Sequence, residues 1–300
     1  MSQNRREFLK TFAAIGATAA TLTAVTPKVT KGKSTRPLSP NRKGVLVDTT
    51  VCIGCGKCEW ACKTAHDIEP GSINDYNTKL TDNSQRRPSE NALTVVNQID
   101  ISNANSGKIK LQCMHCEHPA CESACIVGAI TKQENGAVTW DTDKCIGCRY
   151  CMVACPFQIP AFEYHKALDP KIVKCDFCIN RTTEGKLPAC VEICPVGTLT
   201  YGTRDELVIE AKRRIGKDPD KYFNQVFGEY EVGGTSWLYL ADKNLVDGVF
   251  PKLGTNPAPG VSESIQHGLF AYFVPPVALY ALLGGVMWLS KNKEKNEGGH

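Results

Sequence analysis

Three things are missing from these 300 residues. There is no Gly-rich loop of the kind that cradles nucleotide phosphates. No pair of titratable residues stands out as an acid–base couple. No cysteine lies outside a group of four, so no spare Cys-x-x-Cys pair is left to bind nickel. A chain without these parts shows no catalytic site of its own. Two local absences matter as well. The region from about 66 to 107 has no cysteine, and no Asp, Glu, Lys or Arg occurs from Ser264 to Ser290.

What is present in excess is cysteine, sixteen in all. The first group is Cys52, Cys55, Cys58 and Cys62. The second is Cys113, Cys116, Cys121 and Cys125. The third is Cys145, Cys148, Cys151 and Cys155, followed by Pro156. The fourth is Cys175, Cys178, Cys190 and Cys194, followed by Pro195. The third reads C-x2-C-x2-C-x3-C-P, the spacing with which bacterial ferredoxins hold [4Fe–4S] clusters. Two residues between cysteines let the chain curl so that three thiolates converge on one metal cube. Gly147 allows close backbone approach and leaves amides free to bond the sulfurs. Pro156 stops a helix from continuing.

Disulfides fit poorly, because a bridge inside C-x-x-C closes a very small loop and many would be needed. Zinc could occupy the fourth group alone, since four thiolates make a tetrahedral site. The crowding in the first and third groups suits clusters better. The formal charge of +4 counts cysteine as neutral. Sixteen thiolates around four [4Fe–4S] cores would add about −8 and leave roughly −4. The basic balance therefore gives no reason to expect nucleic-acid binding.

The two ends carry their own signals. Asn4-Arg5-Arg6-Glu7-Phe8-Leu9-Lys10 precedes an uncharged run from Thr11 to Thr26. This resembles a twin-arginine (Tat) export signal over residues 1–27, a route that carries folded proteins. Residues 28–43 read as a linker. At the other end, Leu269 to Ser290 is long enough to cross a bilayer, about 33 Å as a helix. Tyr272 and Trp288 suit interface belts, Pro275-Pro276 should kink the helix, and Lys291, Lys293 and Lys295 place the tail in the cytoplasm. We expect one transmembrane helix over 267–290, with a cytoplasmic tail at 291–300.

Between the ends, residues 44–215 read as one α+β domain with an insertion at 66–107. Gly44 to Asp48 is a short strand entering the first group, and Thr94 to Ile101 is a strand inside the insertion. Cys125-Ile126-Val127-Gly128-Ala129-Ile130 parallels Cys194-Pro195-Val196-Gly197-Thr198-Leu199, an internal repeat in which each turn leads into a strand. The expected fold is a doubled ferredoxin-like ββ unit. Arg204 to Ile215 carries Leu207, Val208, Ala211 and Ile215 on one helical face, which should pack on the cluster core. Residues 216–266 read as an irregular arm that contacts partners.

With the four groups in place, the chain resembles the four-cluster electron-transfer subunits of bacterial respiratory oxidoreductases. Those subunits partner molybdenum enzymes or hydrogenases. The Gly202 to Leu207 segment, Ser264-Ile265-Gln266-His267, the Tat-like start and the single span most resemble the ferredoxin-like subunit of the hydrogenase-2 type [NiFe] complex. The resemblance implies 4Fe-4S dicluster architecture with cross-group ligation. One cluster would take Cys52, Cys55, Cys58 and Cys194, and its mate Cys175, Cys178, Cys190 and Cys62. A third would take Cys113, Cys116, Cys121 and Cys155, and the last Cys145, Cys148, Cys151 and Cys125. It further implies four [4Fe–4S] clusters and a non-catalytic electron wire at the periplasmic face of the inner membrane. The wire would join [NiFe] hydrogenase small and large subunits to a quinone-reactive integral membrane subunit, with membrane lipid around the span. The same wire in a formate dehydrogenase or a dimethyl sulfoxide or polysulfide reductase is the alternative. An assembly scaffold without a redox role is the alternative of another class. His66, His115, His118 and His165 read as surface or hydrogen-bonding groups. His267 sits where a quinone or haem could touch it.

Overall fold

The computed structural model describes residues 38–76, 85–100, 106–242, 249–260, 279–285 and 287–288. The expected Tat signal and most of the expected membrane span lie outside these residues. No helix among the described residues is long and apolar enough to cross a membrane.

The chain enters through β1 (Lys43–Asp48), and α1 (Lys57–Ala65) follows the first cysteines. A hairpin comes next, β2 (Val95–Asp100) and β3 (Ser106–Leu111). Then α2 (Ala120–Ser123), β4 (Ile130–Lys132), β5 (Val138–Trp140) and α3 (Tyr150–Ala154) serve the second and third groups. The short strands β6 (Ala161–Phe162) and β7 (Ile172–Val173) precede α4 (Ile179–Thr183) and α5 (Ala189–Glu192). The described core closes with β8 (Leu199–Thr203), α6 (Arg204–Lys217) and β9 (Trp237–Leu240).

The repeat expected from sequence is present, and one copy is nested inside the other. Cys125 leads into β4, which pairs antiparallel with β5 a few residues later. Cys194 leads into β8, which pairs antiparallel with β1 from the start of the domain. The strand of each unit that feeds a cysteine group ends in the same turn. Asp48 precedes Cys52 by four residues and its Oδ1 accepts from Thr50 N at 3.2 Å. Asp141 precedes Cys145 by four residues and its Oδ1 accepts from Asp143 N at 3.0 Å. An Asp side chain bonding two residues ahead is a ready turn former.

Strand alternation explains where the rest goes. β1 is central, with β8 on one side and β9, parallel to it, on the other. Val45, Val47, Trp237 and Tyr239 face one cluster of buried side chains, which also holds Cys113, Cys175 and Cys190. Leu46, Leu238 and Leu240 point to the opposite face, where Leu207 and Ala211 of α6 cover them with Tyr222 and Val226. Burying each leucine contributes roughly 1.5–3 kcal/mol. The helix is amphipathic as expected, but it backs the sheet on the side away from the cysteines. It does not pack on the cluster core. Asp48, nearly fully buried, ties β1 to this α6 side by accepting from Tyr222 Oη at 2.8 Å and pairing with Arg214 at 3.3 Å.

The segment read as an irregular arm also contributes to the core. Trp237 to Leu240 are fully buried as β9, held there by pairing with β1. The 66–107 region likewise packs on the domain. Glu59 on α1 is buried, pairs with Arg86 at 2.6 Å and accepts from Val96 N at 2.5 Å. The hairpin is thereby tied against the first cysteine group.

Candidate iron–sulfur centres

All sixteen cysteines are free thiols, so no disulfide framework forms. The local geometry repeats four times. In each C-x-x-C turn the residue before the second cysteine has positive φ: Gly54 at 74°, His115 at 47°, Gly147 at 67° and Phe177 at 66°. That twist turns successive amides toward the concave side, where sulfur sits. Glycine takes it freely, while His115 and Phe177 are buried and held by packing, their rings 4.8 Å apart. Amides do reach the sulfurs. Ala129 N donates to Cys125 Sγ at 3.2 Å and Phe177 N to Cys175 Sγ at 3.4 Å. Third cysteines sit on helices: Cys58 on α1, Cys121 on α2, Cys151 on α3 and Cys190 on α5.

The thiols gather across groups. One cavity is lined by Cys52, Cys55, Cys58 and Cys194. Another is lined by Cys125, Cys145, Cys148 and Cys151. In each, three cysteines come from one group and the fourth from elsewhere in the chain. The remaining eight behave alike. The thiols whose charges bear on Cys116 are Cys155, Cys113 and Cys121. Cys190 and Cys62 bear on Cys178, and Cys62 bears on Cys175, followed more weakly by Cys113 of another group.

For Cys116, Cys175, Cys151 and Cys178 burial is the main influence, with a neighbouring cysteine second. It pushes Cys116 and Cys175 well above the ordinary thiol range and Cys151 and Cys178 up to about 12. Left alone, such sites favour neutral thiols. A cationic metal core reverses this by deprotonating its ligands. Two cavities with four cysteines each, eight further buried or half-buried thiols, and amides bonded to Cys125 and Cys175 fit iron–sulfur clusters on the chemistry of the donors.

Comparison with known proteins agrees. A family model for the 4Fe-4S dicluster domain matches residues 108–204. A Nitratidesulfovibrio vulgaris protein is 42% identical, over 97% of this chain and 78% of its own length. The hydrogenase-2 operon protein HybA of Escherichia coli O157:H7 is 35% identical, over 98% of this chain and 97% of its own. The formate dehydrogenase iron-sulfur subunit of Haemophilus influenzae is 34% identical, over 80% of this chain and 76% of its own. The chain belongs to the family of 4Fe-4S dicluster ferredoxin-like subunits. Members of this family are non-catalytic electron-transfer subunits of hydrogenase-type or formate dehydrogenase-type complexes. The sixteen cysteines provide for four [4Fe–4S] clusters.

Other residues of this family member complete the sites. His66, His115 and His165 are hydrogen-bonding or surface groups, as their sequence context implies. His66 spends both ring nitrogens, at 2.8 Å from the Cys62 carbonyl and 2.8 Å from Asp176 Oδ1. Burial opposes its protonation, but the Asp176 carboxylate and Cys62 prevail and raise its pKa to about 11. His66, Asp176 and Cys178 could offer ligand atoms to one ion. The hydrogen bonds that His66 already makes argue against that use. His115 is fully buried and accepts from Val138 N at 2.8 Å. Burial, followed by Lys174, Lys132 and Lys110, keeps it neutral. His118 is held neutral by burial too, and His165 lies at the surface 3.7 Å from Glu90. His267 lies outside the described residues. Sequence reasoning missed the buried lysines, Lys110 and Lys174. Both stand beside cysteine charges, and no motif marks them.

Proposed function

We propose that this chain relays electrons between a periplasm-facing [NiFe] hydrogenase and a quinone-reactive integral membrane subunit. The observation that carries the reading is the pair of cavities, each lined by three cysteines of one group and a fourth from another. The ligand sets follow in the same pattern. Cys52, Cys55, Cys58 and Cys194 form one, and Cys175, Cys178, Cys190 and Cys62 its mate. Cys113, Cys116, Cys121 and Cys155 form the third, and Cys145, Cys148, Cys151 and Cys125 the fourth. Because each set borrows a cysteine from its neighbour, adjacent sites share helices such as α1, which carries both Cys58 and Cys62. Bound clusters supply one-electron chemistry at each site. The chain holds the sites close together, buries their thiols and points amides at the sulfurs, the protein's means of setting potential.

Hydrogenase is favoured over formate dehydrogenase by coverage. The match to HybA runs over 98% of this chain, that to the formate dehydrogenase subunit over 80%. In this proposal residues 1–27 direct export of the folded chain, and residues 267–290 anchor it by one membrane helix with the tail inside. Residues 279–285 and 287–288 are helical, with Leu279, Tyr280, Leu282, Met287 and Trp288 exposed, as a lipid-facing helix would present them. The 216–266 segment then offers its exposed residues to partners.

The test is reduction of the chain in anaerobic membranes. Addition of H2 should bleach its visible absorbance and formate should leave it unchanged. Bleaching by formate and not by H2 would assign it to the formate dehydrogenase type. Bleaching by neither, with dithionite also without effect, would contradict an electron-transfer role. Removal of everything after Gln266 should spare dye-linked turnover and sharply lower quinone-linked turnover. Equal retention of both would show that the anchor is dispensable.

A further inference from the structure

We propose that Lys110 is a fixed buried counter-charge that raises the reduction potential of two of the four cluster sites, those built from the first and fourth cysteine groups. The proposal rests on the ligand sets given above.

Lys110 lies on β3, opposite Val96 of β2, and is 3% exposed. Its Nζ donates to Gln112 Oε1 at 2.9 Å and sits 4.5 Å from the centre of the Trp237 ring. Gln112 Nε2 donates to Tyr239 Oη at 2.7 Å, and that hydroxyl donates to the Lys110 carbonyl at 2.9 Å. The loop closes on itself, and Gln112 and Tyr239 are as buried as the lysine. The ammonium is therefore fixed in place and shielded from water.

A buried ammonium is costly unless an anion offsets it. Among the described residues Lys110 pairs with no carboxylate, whereas Lys132 has Glu117 at 4.0 Å and three carbonyls. One neutral amide oxygen and an indole face do not balance a full charge. The nearby negative groups are thiolates. Lys110 lines the same cavity as Cys52, Cys55, Cys58 and Cys194, together with Lys108. The Trp237 ring beneath its ammonium packs in the same buried cluster as Cys175 and Cys190 of the adjoining set, and its charge acts with these and with Cys62. Ligand thiolates of bound clusters would be the anions that offset this buried ammonium.

The consequence for potential follows from sign. Gaining an electron makes a thiolate-bound cluster more negative, and a nearby fixed cation stabilises the more negative state more. Removing the cation must make both adjoining sites harder to reduce. Lys110 does not line the cavity of Cys125, Cys145, Cys148 and Cys151, and the sites built from the second and third groups should keep their potentials.

The experiment uses the full chain in its complex, purified without oxygen, with iron analysis and EPR-monitored redox titration. Lys110→Met should retain its iron while two of four midpoints fall. The oxidised-to-reduced ratio of those two at fixed potential should rise at least about tenfold, which is 59 mV for a one-electron couple. Lys110→Arg keeps the charge and should titrate as the native chain. Gln112→Glu sets a carboxylate against the ammonium and should lower the same two midpoints. Native midpoints in an iron-replete Lys110→Met chain would overturn the proposal, as would an equal fall of all four or an equal fall in Lys110→Arg. If Lys110→Met loses its iron, native midpoints in Gln112→Glu would overturn it instead. Iron loss in both but not in Lys110→Arg would support it, and loss in all three would make Lys110 a packing residue. A native chain without iron would refute the cluster reading itself, a separate outcome.

Discussion

The first and third cysteine groups use the same turn and are finished differently. Each follows an Asp-led turn, each reads Cys-Ile-Gly-Cys, and each then enters a helix through a left-handed residue, Gly56 at φ 64° or Arg149 at φ 62°. Around Cys52 and Cys55 the β2–β3 hairpin brings Val96, Lys108 and Lys110 to the cavity wall. Around Cys145 and Cys148 the shorter β6–β7 pair brings Ile172 to the cavity wall, and no lysine lines it. Cys148 is exposed, and Ile146 and Val153 are 62% and 81% exposed. One local motif thus yields a covered site and an open one. The contrast teaches that the cysteine spacing builds the cage, while distant segments set its dielectric and charge.

The largest effect should come from breaking the exchange of cysteines that joins sites. Cys155→Ser removes a thiol that neighbours Cys113 and Cys116. Iron should fall from about sixteen to about twelve per chain, lost from the second-group site. EPR of the third-group site should be unchanged. Loss of the third-group signal instead would mean that Cys155 serves its own group.

Next in size is the cover itself. Arg86→Ala leaves Glu59, 2% exposed, without its cation. Such a change costs about 3–5 kcal/mol where a buried carboxylate is stranded. Thermal unfolding should show a lower Tm, and the first-group site should begin to lose iron to a chelator as fast as the open one. If the first-group site stays slower, the hairpin is not what protects it.

A smaller effect separates the two left-handed entries. A Cβ on Gly56 would lie 2.7 Å from the Tyr76 Cβ, on backbone that costs a non-glycine residue roughly 1–2 kcal/mol. Gly56→Ala should lower Tm measurably. Arg149→Gly relieves the same strain but gives up the stacking of Arg149 on Phe162 at 5.4 Å, so its Tm should move less. Equal shifts would show that Tyr76 yields at no cost.

The smallest concerns α6, on the face far from the cysteines. Arg213 and then Arg214 hold the Glu210 carboxyl down to about 2. Because the folded value lies below the unfolded one, the stabilisation is present above the ordinary glutamate range and fades as pH falls toward 2. The pair is exposed, so Glu210→Gln should cost only a few tenths of a kcal/mol near neutral pH. That cost should shrink in acid. A cost that grows in acid would contradict the sign.

Much of the cage was legible in the sequence because its signals are local. The four cysteine groups, the Val-Gly repeat before β4 and β8, and the 3.6-residue stripe of α6 need only short windows. The nesting was not legible, because β1 finds β8 some 150 residues later and no local pattern encodes a partner. Trp237 to Leu240 follow a Gly-Gly pair in a loop-rich stretch, and only pairing with β1 makes them a core strand. The lysines mislead for a physical reason. In Lys108-Ile109-Lys110-Leu111 the alternation reads as a strand with lysines toward water, yet that face meets the cysteine cavity. A polar stripe marks a solvated face only when no anionic site lies opposite.

The central claim is that four cysteine sets, each completed by a neighbouring group, make one conduit. Iron analysis with EPR-monitored redox titration of the anaerobically purified native chain tests it most directly. The account predicts about sixteen iron atoms per chain and four one-electron centres with magnetic coupling between adjacent sites. Eight iron atoms or fewer, with the remaining thiols found as disulfides or holding zinc, would contradict it.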